Sequence, residues 1–135
     1  MTPEVKLFLD VERAVLGLFG AVDDGTPRVT LKEEGGLWLA LFSFESINLS
    51  GIGTHEDEAL LALLERAHEV KLGSDFNVYV DLSQKGHVWV EGTNTLWSAN
   101  FAPHGSKSSQ TRQVTGRSDD ACILRLWLDL HFSYN

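Results

Sequence analysis

Apolar positions recur along this chain with two different periods, and the switches between them mark out its elements. Val5, Phe8, Leu9, Val15, Leu16 and Phe19 fall at helical spacing. Thr2 is placed to cap that run and Pro3 occupies the first helical position, so residues 3–19 read as a helix. Leu7, Val11, Ala14 and Leu18 form a second apolar row on a neighbouring face, wider than one packing stripe needs. Gly20 and Asp23-Asp24-Gly25 end the helix. Period two follows. Val29 and Leu31 alternate with Arg28, Thr30 and Lys32 over residues 28–33, Glu34-Gly35-Gly36 reads as a turn, and residues 37–50 read as one long strand or a bent pair.

Gly51-Ile52-Gly53 reads as a tight turn into a second helix, with Thr54 as its cap and Asp57 closing a shortened capping box. Ala59, Leu60, Leu63, Leu64 and Ala67 make its apolar stripe, and Gly73 stops it. Beyond it the pattern predicts strands: Phe76, Val78, Val80 and Leu82 alternate with polar residues, then residues 87–91 and 95–102 follow short turns. Residues 103–120 form a long polar stretch. Residues 121–133 read as a last strand, with Leu124, Leu126, Leu128, Leu130 and Phe132 on one face and Ile123, Arg125, Trp127, Asp129 and His131 on the other. The expected fold is one α+β domain over residues 1–135: an antiparallel sheet of about five to seven strands with two helices packed against it. No internal repeat is visible in the sequence.

Composition adds little to the fold but narrows the function. A chain of 135 residues can support its own core, and a single cysteine, Cys122, excludes an internal disulfide. No basic, apolar leader opens the chain and no run is long enough to span a bilayer, so a cytoplasmic protein without membrane contact is expected. The net charge of −8 opposes non-specific nucleic-acid binding. All nineteen acidic residues lie outside residues 92–118, a window that holds His104, Lys107, Arg112 and Arg117.

The usual catalytic signatures are missing. The histidines at 55, 68, 87, 104 and 131 are too scattered for a zinc site, so no metal or other cofactor is expected. There is no nucleophile elbow and no phosphate-binding loop. Glu56, Asp57 and Glu58 would repel an anion from the start of the second helix. Asp75, Asp81 and Glu91 lack the acid-x-Lys partner of a metal-dependent nuclease. A binding protein, not an enzyme, is the expectation.

What such a protein would bind is suggested by the acid-free window. Trp97 and Phe101 offer rings to stack on a base, Asn94 offers a donor and an acceptor to its edge, and Lys107, Arg112 and Arg117 could hold phosphate. The stretch reads either as a lid over a small phosphorylated ligand or as a plain polar loop. Trp89, Trp97 and Trp127, with the doubly apolar first helix, suggest a homo-oligomer; the alternative is that these rings cap the core.

The order of elements, together with Val78-Tyr79-Val80-Asp81-Leu82, Val88-Trp89-Val90, Asn94-Thr95-Leu96-Trp97 and a late arginine-bearing loop, resembles the phage-encoded Thoeris anti-defence sponges. That resemblance implies an oligomeric protein that sequesters a cyclic ADP-ribose-type immune signal in the host cytoplasm without cleaving it. It further implies that Arg112 and Arg117 hold the diphosphate and that Phe101 or Trp97 stacks on adenine. Ser50-Gly51-Ile52-Gly53-Thr54 followed by Glu58-Ala59-Leu60 is similar to the strand-to-helix junction of HicB-like antitoxins. The competing function is an acidic inhibitor (immunity, antitoxin or anti-restriction) that covers a basic partner through Glu56, Asp57, Glu58, Glu65 and Glu69.

Overall fold

The computed structural model describes residues 2–22, 24–105 and 111–133. The chain divides into two compact units, Met1–Phe76 and Asn77–Asn135. Each has the same order of elements: a helix, three antiparallel strands and a second helix.

In the first unit α1 spans Pro3–Leu18, β1 Val29–Glu34, β2 Leu37–Phe44, β3 Ile47–Gly53 and α2 Glu56–Leu72. Thr2 caps α1 by accepting from Val5 N at 3.2 Å. Its buried face is the row Leu7, Val11, Ala14 with Val15 and Leu16, while Val5 and Leu9 are exposed. Gly35 and Gly36, both at positive φ, make the two-residue turn between β1 and β2, where only glycine takes that conformation without strain. Phe42, Leu60, Leu63 and Leu64 are fully buried where α2 covers the sheet. Glu12 is a buried acid with a structural role. Its Oε2 accepts from Arg28 N at 2.8 Å and Val29 N at 2.9 Å, tying α1 to the start of β1.

Gly51 and Gly53 are not a turn. They lie within β3, and a Cβ at Gly51 would fall onto the backbone of Ala59 and Leu63, so the missing side chain lets α2 pack directly on the strand. The cap of α2 also sits one residue later than the sequence suggests. Glu58 N donates to His55 Nδ1 at 3.3 Å, and the Glu58 carboxylate accepts from Thr54 N. Asp57 is buried instead of closing the box.

The second unit contains α3 at Val78–Lys85, β4 at Gly86–Gly92, β5 at Trp97–Pro103, β6 at Arg112–Gly116 and α4 at Asp119–Ser133. The expectation of one sheet of five to seven strands with two helices is therefore overturned. There are two separate three-stranded sheets, β1-β2-β3 and β4-β5-β6, and four helices among the described residues.

Two predicted strands are helices, for identifiable reasons. Val78 and Leu82, four residues apart, are buried while Tyr79 and Val80 between them are exposed, which is a helical pattern. Asn77 Oδ1 caps that helix by accepting from Val80 N at 2.9 Å. In α4, Ala121, Cys122, Ile123, Leu124, Leu126, Trp127, Leu128 and Leu130 are all buried. Only a narrow polar stripe, Arg125, Asp129 and Ser133 at four-residue spacing, marks the helical period, and the alternate leucines imitate a strand. Ser118 Oγ accepts from Ala121 N at 3.1 Å where that helix begins. A strand, β6, occupies part of the stretch expected to be a polar loop.

The acidic charge is partitioned with the fold. The first unit has fourteen acidic residues against six basic and so carries the whole net charge of −8, whereas the second has five of each. Among the described residues no helix is long and apolar enough to cross a membrane.

Candidate functional site

The sheet of the second unit gives its two faces different chemistry. Gly116 approaches Ala121 and Cys122 of α4, and Arg112, on the same side of β6, bonds to Asp129 and Ser133 of that helix. Val88, Ala99 and Phe101 are buried on this side. By strand alternation the other side carries Trp89, Asn100 and Gln113, which are direct register partners across all three strands.

That row is polar yet closely bonded. Gln113 Nε2 donates to Asn100 Oδ1 at 2.9 Å, and Asn100 Nδ2 donates to the Trp89 carbonyl at 3.4 Å. Asn100 is only 7% exposed. The His87 ring stacks on Trp89 with centroids 5.1 Å apart. Trp89, Asn100, Thr111, Arg112 and Gln113 line a pocket of about 310 Å³. Each amide nitrogen has two hydrogens and Gln113 has a carbonyl oxygen, so the pair offers donors and an acceptor beyond the bonds that join it.

The residues singled out in the sequence separate into two groups. Phe101 and Arg112 are register partners near one end of the sheet. Phe101 is 3% exposed. Arg112 Nη1 donates to Asp129 Oδ2 at 2.8 Å and to Ser133 Oγ at 3.1 Å. Trp97 pairs with Gly116 near the other end, its ring lying over Gly92, and exposed Arg117 follows Gly116 directly. Asn94 is exposed in the turn between β4 and β5. β6 runs from Arg112 to Gly116 and Arg117 follows it, about 16 Å along an extended chain, so the chain by itself does not bring the two arginines onto a single phosphate group. Lys107 lies outside the described residues.

Trp89, Asn100 and Gln113 join this pocket without a signal in the sequence. The pattern around Trp89 suggests an interface or core ring, and nothing linear connects it to Gln113. Only the register β4-β5-β6 does. Of the three tryptophans that the sequence groups together, Trp127 is buried in α4, its Nε1 donating to Asp81 Oδ2 at 2.8 Å, while Trp89 and Trp97 are half-buried.

Neither family models nor curated proteins match the chain.

Proposed function

We propose that this protein binds a small nucleobase-bearing anion at the Trp89–Asn100–Gln113 row and holds it without converting it. The observation that carries the reading is the row itself: an indole for stacking and two amides for a base edge, in a pocket that Arg112 also lines while its guanidinium bonds to Asp129 and Ser133 of α4. The volume lies at the lower end of the roughly 300–1,000 Å³ usual for small-molecule sites, enough for a base and its sugar, with phosphate directed outward. The indole, amide, hydroxyl and guanidinium groups of the lining do not ionise near neutral pH, and the His87 imidazole stacked on Trp89 is not itself a lining residue, which favours retention over chemistry. A cyclic ADP-ribose-type signal belongs to this ligand class and is the first probe.

Calorimetry with cyclic ADP-ribose isomers, ADP-ribose and AMP tests the reading. The wild type should bind at least one of them, and Trp89→Ala or Gln113→Ala should weaken that binding about tenfold or more. Heating the loaded protein should release the ligand unchanged. Absence of binding to every probe overturns the site; recovery of an altered ligand overturns retention without conversion.

A second reading rests on the placement of all the net charge in the first unit. There an acidic surface of Glu56, Glu58, Glu65 and Glu69 would cover a basic protein, Asp57 being buried. Charge reversal at Glu56, Glu65 and Glu69 should then abolish inhibition of such a partner and leave nucleotide binding intact.

A further inference from the structure

A larger cavity of about 450 Å³ lies in the second unit, on the α4 side of the sheet. Leu82 and Lys85 reach it from α3, Phe101 and Pro103 from β5, and Trp127, Leu130 and His131 from α4. Its walls are mainly hydrocarbon and aromatic. The polar side-chain groups among the described lining residues are an ammonium, an imidazole and an indole N–H; no carboxylate is among them.

Three contacts order this lining. Trp127 and His131 stack with centroids 4.8 Å apart and planes 12° from parallel, making a flat aromatic wall. Asp81 Oδ2 accepts from Trp127 Nε1 at 2.8 Å, which fixes the indole, and from Lys85 Nζ at 3.1 Å, which holds the ammonium beside it. The Lys85 side chain is 61% exposed, so its charge stands at the mouth, not in the depth.

We infer that this cavity is a second binding site, for an aromatic acid with a single anionic group. The ring lies along the Trp127–His131 wall and against Phe101, and the anion meets Lys85 at the mouth. The lining suits a nucleotide poorly, because sugar hydroxyls and phosphates would lose their hydration against Leu82, Pro103 and Leu130. A flat wall rewards a planar ring over a flexible aliphatic chain, which would also lose rotamer freedom on binding.

The test uses two fluorescent probes with the same ring system, anionic anilinonaphthalene sulfonate and neutral N-phenylnaphthylamine, with the intact chain. The sulfonate should bind one-to-one and about two- to fivefold more tightly than the neutral probe, the range expected of one exposed ion pair. Lys85→Gln should reduce the sulfonate to the level of the neutral probe and leave the neutral probe unchanged. Pro103→Trp, which fills the cavity, should exclude both. Trp89→Ala should change neither, which separates this site from the nucleotide pocket. Equal binding of both probes by the wild type, or sulfonate binding that survives Lys85→Gln undiminished, overturns the inference. If Pro103→Trp does not fold, as judged by circular dichroism, the comparison at Lys85 decides by itself.

Discussion

Asn100 and Gln113 are bonded to each other across β5 and β6, with Gln113 Nε2 donating to Asn100 Oδ1 at 2.9 Å, on the sheet face opposite α4. The bond pre-sets both amides, so a ligand that meets them need not pay their ordering entropy at the moment of binding. Asn100→Ala removes a buried amide and should destabilise the second unit by about 1–2 kcal/mol in urea unfolding. Gln113→Ala, at an exposed position, should cost less. The double variant should fall short of the sum, with a coupling of about 0.5–1 kcal/mol. Additive losses would mean the bond is not formed in solution.

Glu12 gives a prediction for the first unit. Its carboxylate accepts two backbone N–H groups, from Arg28 and Val29, and it is 7% exposed. Glu12→Ala leaves both donors without that acceptor and should destabilise by about 3 kcal/mol. Glu12→Gln keeps an acceptor oxygen and should cost about 1 kcal/mol. Chemical denaturation of the two variants side by side checks the order; equal losses would point to packing, not hydrogen bonding, as the role of the residue.

The first unit is largely legible in the sequence and the second is not, and the difference is physical. α1, the β1–β2 hairpin and α2 each bury one face and expose another, so their periods survive in the pattern of residues. α4 buries every residue from Ala121 to Leu130 except Arg125 and Asp129, and its leucines at 124, 126, 128 and 130 satisfy both a strand and a helix. The candidate site is legible only as chemistry. The acid-free window spans β5 and β6, the second of which reads as a loop in the sequence, but the partners Trp89 and Gln113 come together through a register that no linear spacing encodes. The role of Asn77 is open to a sequence reading: an Asn three residues before Val80, ahead of the Val78–Leu82 pair, is a cap in sequence as well as in structure.

That cap can be tested directly. In a strand, Asn77→Ala would be nearly neutral or favourable. In the helix α3 it removes the acceptor for Val80 N and should cost about 1 kcal/mol. Amide exchange at Val80 and Asp81 should accelerate in the variant, while Asn77→Asp should retain most of the protection.

Gly51 is the position where a single methyl should do most harm. A Cβ there meets the backbone of Ala59 and Leu63, and backbone cannot swing aside as a side chain can. Gly51→Ala should force α2 away from β3 and cost about 2–3 kcal/mol. Gly17→Ala, where nothing lies within 4 Å of the added carbon, should be neutral or stabilising. Thermal melts of the pair distinguish close approach from a general loss on replacing glycine.

The acid limb of stability should contain a contribution from Asp24, in the connection between α1 and β1. Its pKa is lowered below the ordinary 3.8, first by the hydrogen bond from the Thr26 backbone N–H, then by the Thr26 side chain, with a smaller effect from Arg28. Thr26 N lies 2.9 Å from Asp24 Oδ1, and Arg28 Nη2 lies 3.7 Å from Oδ2. A folded-state pKa below the unfolded value means that the carboxylate stabilises the fold fully above the ordinary 3.8 and that this stabilisation disappears as pH falls through the lower folded value. Asp24→Asn should therefore be less stable than the wild type at pH 7, and the two should converge in acid below the lowered folded pKa. Because the leading cause is a hydrogen bond and not the ion pair, raising the salt at pH 7 should leave most of the difference in place. Urea unfolding at the two pH values, with and without added salt, reads all three expectations. A gap between the proteins that persists unchanged into strong acid would remove Asp24 from the acid limb.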